Sequence, residues 1–216
     1  MLDVGLIGMA AVVLTPGQFS VEQVDVHGRH FFAFVVVAAA QITNTEQAQA
    51  EALAEAQELA PDTDSFSFWG PAYSGAAPTH SVQVKNLTPG GHNYFIVNFQ
   101  KGGRSTGRMI VNSQTGVVDL ATGIELEGEE LPKFIGPNDV QTQLTPEVLL
   151  NDGKEVHIPG DEPTSVEVVW QHCHESQSML LPFYWVRWTN YALFLRVDGQ
   201  FFAHLTPTDG TPPRVA

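Results

Sequence analysis

The sequence predicts an α+β protein of antiparallel β-meanders with one main helix packed on a sheet, arranged as two related subdomains. Three observations carry this reading. Runs rich in Val, Ile, Phe, Tyr and Trp, divided by Gly, Asn and Asp, recur through residues 81–120 and again through 165–205, as half-buried strands with tight connections do. Only Thr43–Ala60 spaces its apolar positions by three and four residues over a helical length. The order of strand, hairpin and turn is the same in both runs, which reads as a degenerate internal repeat.

Taken in order, Val21–Val26 alternates, His27-Gly28 offers a turn, and Phe31–Val37 is an apolar run. A hairpin packed under the later helix is expected there. In the helix, Thr43 stands three residues before Glu46, a capping-box spacing, and Pro61 supplies a stop. Ala48, Ala52, Ala56 and Ala60 with Leu53 and Leu59 form a narrow stripe of mostly small residues, which lets a helix lie close on a sheet. The Gln and Glu residues between them make its solvated side.

Asp62–Pro78 turns to Gly, Pro, Ser and Asp with Phe66, Phe68, Trp69 and Tyr73 embedded. A loop this long is commonly functional or mobile, so these four aromatics either plug it onto the core or face a ligand. Four strands are expected next: Ser81–Asn86, Asn93–Gln100, Thr106–Asn112 and Val117–Leu120. Lys101-Gly102-Gly103 and Ser113–Gly116 are turns between them.

Residues 123–164 are an acidic, Pro-rich connection carrying Glu125, Glu127, Glu129 and Glu130. Without the turn glycine and spaced oxygen ligands of a calcium loop, this is a solvated stretch. Thr145-Pro146 before Glu147–Leu150 predicts a short capped helix closed by Asn151-Asp152-Gly153. The last part, 165–216, is a meander in which Val166, Val168 and Trp170 alternate with their neighbours. Thr189-Asn190 and Asp198-Gly199 are its turns, the second read as a two-residue hairpin of the primed type. The organisation expected is therefore 1–122, hairpin, helix and meander; 123–164, connection; 165–216, C-terminal meander.

Charge and composition narrow the function classes. The 24 acidic against 10 basic residues give a formal charge of −14, which opposes binding to phosphate backbones, so no nucleic-acid partner is expected. A single cysteine rules out a disulfide within the chain and favours the cytoplasm. MLDVGLIGMAAVVL has the apolar character of a signal core, but Asp3 stands where a basic start belongs and no small-residue cleavage site precedes Pro16. Phe31–Ile42 falls short of the roughly 20 residues that cross a bilayer, so no membrane partner is expected.

The Ala-rich helix, the strand Tyr94–Gln100 and the strand-turn-strand Arg108–Val118 with Thr115-Gly116 at its turn resemble the PepSY and cystatin-like group of small α+β domains. The likeness covers Thr43–Thr122, and Asn112 stands where those strands typically carry Asp. A Val24–Gly28 segment is similar to the cystatin hairpin motif without its leading glutamine. The resemblance implies a non-catalytic binding or regulatory module of the kind found beside peptidases, with no catalytic residues to transfer and no cofactor. Free sheet edges would serve a protein partner or a second copy.

One cluster supports a different class. If the strand from Val166 runs on, His172 and His174 project from one face and Cys173 and Glu175 from the other. Two such histidines can ligate zinc, with His204 or His157 as a third ligand. Cys173 could instead be a nucleophile, although its neighbouring imidazoles point away from it. The alternative to a binding module is therefore a metal-dependent or thiol enzyme centred on His172–Glu175. No phosphate-cradling glycine loop, nucleophile elbow or His-Glu-x-x-His helix accompanies it.

Overall fold

A polar-free apolar run such as Tyr94-Phe95-Ile96-Val97 belongs in a strand covered on both faces, and it lies near the middle of an eight-stranded sheet. The computed structural model describes residues 19–26, 29–36, 41–59, 70–124, 128–132, 134–208 and 214–215. Residues up to 40 form one unit, whose described part is a hairpin of β1 (Phe19–Val26) and β2 (Arg29–Val36). Its register runs from Phe19 opposite Val36 to Val26 opposite Arg29. The expected turn pair, His27-Gly28, lies outside the described residues.

Residues 41–216 form the other unit. They begin with α1 (Thr45–Leu59) and the single turn α2 (Gly70–Tyr73). The first meander follows as β3 (Ala77–Asn86), β4 (Tyr94–Lys101), β5 (Arg104–Asn112) and β6 (Val118–Gly123). A 3-10 turn (Pro137–Asp139) leads into α3 (Val140–Gln143), then a hairpin of β7 (Glu147–Leu149) and β8 (Glu155–His157). The second meander is β9 (Ser165–Trp170), β10 (Phe183–Arg187), β11 (Ala192–Arg196) and β12 (Phe201–Phe202), after which β13 (His204–Leu205) pairs with β14 (Arg214–Val215).

Both meanders belong to one sheet, ordered β12-β11-β10-β9-β3-β4-β5-β6. Neighbours are antiparallel except β3 and β9, which meet in parallel at Lys85–Val169 and Asn86–Trp170. Leu87 N–H to the Trp170 carbonyl at 2.8 Å and His172 N–H to Thr88 Oγ1 at 2.9 Å extend that seam. At the far edge, Asn151 N–H donates to the Phe201 carbonyl and covers part of β12. Among the described residues β6 has no strand beyond β5. No helix among them is long and apolar enough to cross a membrane.

Period two divides each strand between two cores. Phe95, Val97, Phe99, Met109 and Val111 meet Ala48, Ala52 and Ala56 of α1, as the small-residue stripe predicts. Val82, Val84, Tyr94, Ile96 and Ile110 face the other way, under Phe134, Trp170, Met179 and Leu180. In the second meander Tyr184, Val186, Leu193 and Leu195 pack against Val140, Val148, Leu150 and Ile158. Buried tyrosines tie covering segments to the sheet: Tyr94 donates to the Met179 carbonyl at 2.8 Å and Tyr184 to the Ile135 carbonyl at 2.6 Å. Burial pushes both hydroxyls above the ordinary tyrosine range, so they remain proton donors.

Several local expectations are corrected. The cap of α1 is Asn44, whose Oδ1 accepts from Gln47 N–H at 2.9 Å, while Gln47 Oε1 accepts from Thr43 N–H. The cap is displaced by one residue, because an Asn side chain reaches the third helical amide as well as a Thr does, and Gln47 reaches back past the cap to Thr43. The short helix expected at Glu147–Leu150 is the strand β7. Val148 and Leu150 are buried and Leu149 is 61% exposed, an alternation that only a strand produces there. Asp198-Gly199 is not a two-residue turn. Arg196 N–H bonds to the Gln200 carbonyl and Gly199 N–H to the Arg196 carbonyl, closing over residues 197–199 with Gly199 at φ 96°. Leu150 and Lys154 close over 151–153 in the same way, with Gly153 at φ 83°. Both are hairpin loops ending on a left-handed glycine, the longer alternative to the primed turn. Gly102-Gly103, both at positive φ, is the tight pair.

Candidate functional site

The sheet face opposite α1 carries a polar row beside its apolar cluster. His80, Asn98 and Arg108 are cross-strand neighbours on β3, β4 and β5. Asn98 and Arg108 are each 6% exposed. Arg108 Nε donates to Asn98 Oδ1 at 2.9 Å, and Nη2 donates to the Pro132 carbonyl. The guanidinium lies 5.1 Å from the centre of the Phe134 ring. These contacts hold its plane, yet no carboxylate forms an ion pair with it among the described residues. Burial pulls the Arg108 pKa below the ordinary arginine range, as removal of water from a cation does.

Arg108 opens on a half-open cavity of about 450 Å³, walled also by Asn98, Gln100, Ser105, Phe134 and Pro137, within the size range of small-molecule sites. Nη1 has no protein acceptor among the described residues. The arrangement can therefore give a charge-assisted hydrogen bond to an entering group. Sequence reasoning missed this site. Its signal is a polar residue inside a run that the fold covers on both sides, Val97-Asn98-Phe99, matched by Arg108 beside Met109.

The residues singled out from sequence lie elsewhere. Phe66, Phe68 and Trp69 fall outside the described residues. Tyr73 is buried against Phe99, ring centres 5.1 Å apart, and its hydroxyl sits between the Thr122 and Arg108 carbonyls at 2.7 and 3.0 Å. It is a core residue. Asn112, at the position where the resemblance leads one to expect Asp, accepts from Gln114 and Thr115 N–H and shapes its own turn.

At His172–Glu175, β9 ends at Trp170, but the alternation persists: His172 and His174 are exposed and Cys173 is 3% exposed. His204, on β13, borders a small cavity of about 100 Å³ with Asp152 and Glu175, and His157 is exposed on β8. Among the described residues no three His, Cys, Asp or Glu are placed to hold a metal ion. Burial pushes the Cys173 thiol up, against hydrogen bonds from Ser176. Burial also acts against the Glu175 carboxylate, but Thr206, whose N–H donates to Oε2 at 2.7 Å, outweighs it and holds the group below the usual range. The folded chain is expected to react with a thiol reagent no faster than it unfolds, and at once in denaturant. Rapid stoichiometric labelling of the native chain at pH 7 would contradict the inert thiol.

No protein-family model, no curated protein and no solved structure matches the chain.

Proposed function

We propose that this chain is a non-catalytic binding module that takes a small ligand in the cavity over Arg108. The observation that carries the reading is a nearly fully buried arginine with no carboxylate partner among the described residues, opening on that cavity. A buried cation without a directly bonded counter-charge costs stability, and that cost is understandable where a ligand brings an acceptor to it. The lone thiol is buried and protonated, which disfavours the nucleophile alternative. A helix laid across a four-stranded meander agrees with the PepSY and cystatin-like resemblance of Thr43–Thr122, and a regulatory place beside a peptidase is what that resemblance implies.

The test is a fragment screen followed by backbone NMR of the isotope-labelled chain. Hits are expected to shift Asn98, Gln100, Ser105 and Arg108 together. Hits scattered elsewhere, or none at all, would remove the cavity as the ligand site. Turnover of an ester or peptide panel by the purified chain would remove the non-catalytic reading.

A further inference from the structure

The described residues contain two almost fully buried arginines, and they are treated differently. Arg196, 2% exposed, meets Asp198 through Nε at 3.0 Å and Nη2 at 2.7 Å, and its Nη1 donates to the Glu175 carbonyl at 2.8 Å. Its charge is neutralised within the protein. Arg108 is buried to nearly the same degree with neutral acceptors only, Asn98 Oδ1 and the Pro132 carbonyl. Those two bonds use Nε and Nη2, so the guanidinium is oriented before any ligand arrives and the ordering cost of binding is small. What remains is the two N–H groups of Nη1 and the second of Nη2, donors on a fixed cation at a cavity wall.

The charge of the complementary group follows from the other walls. Arg108 is the only Lys or Arg among the described lining residues, while Glu130 and Asp139 line the same cavity. With His80 the other basic side chain on the walls, a doubly charged phosphate would meet one arginine and two carboxylates, and a singly charged group meets the same walls with about half the repulsion. Phe134 and Pro137 add an apolar wall, and Gln100, Ser105 and Asn138 add neutral polar groups.

Building on the binding-module reading, we infer that the ligand is a singly charged carboxylate bearing an apolar substituent, its oxygen accepting from Arg108 Nη1 and its substituent lying along Phe134 and Pro137. A carboxylate of this kind comes either from a small free acid or from the C-terminus of a peptide ending in an apolar residue. The cavity chemistry is common to both.

The experiment compares 3-phenylpropionate with 3-phenylpropionamide by calorimetry and side-chain NMR. Inorganic phosphate and a short peptide ending in Phe, with free or amidated C-terminus, complete the series. The acid forms are expected to shift the Arg108 Nε–H signal and to bind at least about tenfold more tightly than their amides, the loss expected for one charge-assisted hydrogen bond. Arg108→Gln should remove that preference. Because the acid–amide comparison uses the unaltered chain, it stands even if the variant fails to fold. The tighter of the two acids identifies the source, and either outcome supports the carboxylate. Equal binding of acid and amide at the cavity would overturn the carboxylate and leave the module standing. Tighter binding of phosphate would overturn the single charge. Absence of any shift at the cavity would overturn the inference, and together with an empty fragment screen it would overturn the module as well.

Discussion

Replacing Arg196 by methionine is expected to destabilise the chain by about 2–3 kcal/mol, the cost of losing the charge-assisted hydrogen bonds of a buried guanidinium. The side chain joins β11 to the loop after it through Asp198 and Gln200 and to the segment after β9 through the Glu175 carbonyl, and its guanidinium lies 5.4 Å from the centre of the Phe202 ring. Methionine keeps much of the packing and none of these bonds, leaving the Glu175 carbonyl without its donor and the exposed Asp198 without its cation. Arg108→Met removes two hydrogen bonds to neutral acceptors but also a cation that the protein does not neutralise. Those terms oppose one another, so its stability should stay within about 1 kcal/mol of the parent. Urea unfolding followed by tryptophan fluorescence at pH 7 distinguishes the two. A loss at Arg108 equal to that at Arg196 would make both structural and remove the basis for a ligand site.

The same pair has a pH signature. Burial works against the Asp198 carboxylate, but its bonds with Arg196 hold its pKa below the ordinary value. A carboxylate with a depressed folded pKa stabilises the protein above its unfolded pKa of about 3.9, and this contribution fades as pH falls through the folded value. The stability gap between the parent and Arg196→Met should therefore narrow below about pH 4, and a gap that stayed constant would place the effect in packing.

The strands were legible because β3, β4, β5, β10 and β11 obey local rules of alternation and turn chemistry that need no knowledge of the rest of the chain. The misread pieces are those where a tertiary partner decides. Glu147–Leu150 carries a helix-start pattern, yet burial of Val148 and Leu150 beside Tyr184 and Leu195 makes it a strand. The parallel seam between β3 and β9 has only two register pairs, and nothing within either segment announces it. The site was hidden for the same reason. Asn98 and Arg108 lie 10 positions apart and become neighbours only through the β4–β5 register, so the exposed His172 and His174 drew attention that a buried arginine did not.

Gly123→Ala is expected to cost about 2–3 kcal/mol, although alanine is ordinarily the better residue in a folded chain. Gly107 and Gly123 face each other across β5 and β6, and α2 lies in the space their missing side chains leave. A Cβ on Gly123 would stand 2.2 Å from Ala72 Cβ and 3.2 Å from the Thr106 carbonyl, whereas apolar carbons rest about 3.5–4.0 Å apart. Ala72 Cβ cannot rotate away, so α2 must move by more than an ångström. That motion strains the Thr106 Oγ1–Ala72 carbonyl bond of 2.7 Å and the Tyr73 hydroxyl between Thr122 and Arg108. The variant therefore acts on the backbone that carries Arg108 as well as on the core. If the clash is the cause, Ala72→Gly should recover at least about 1 kcal/mol in the Gly123→Ala background while destabilising the parent, a coupling of opposite signs that a double-mutant cycle reads directly. Additive losses would mean that α2 is not seated on the glycine pair.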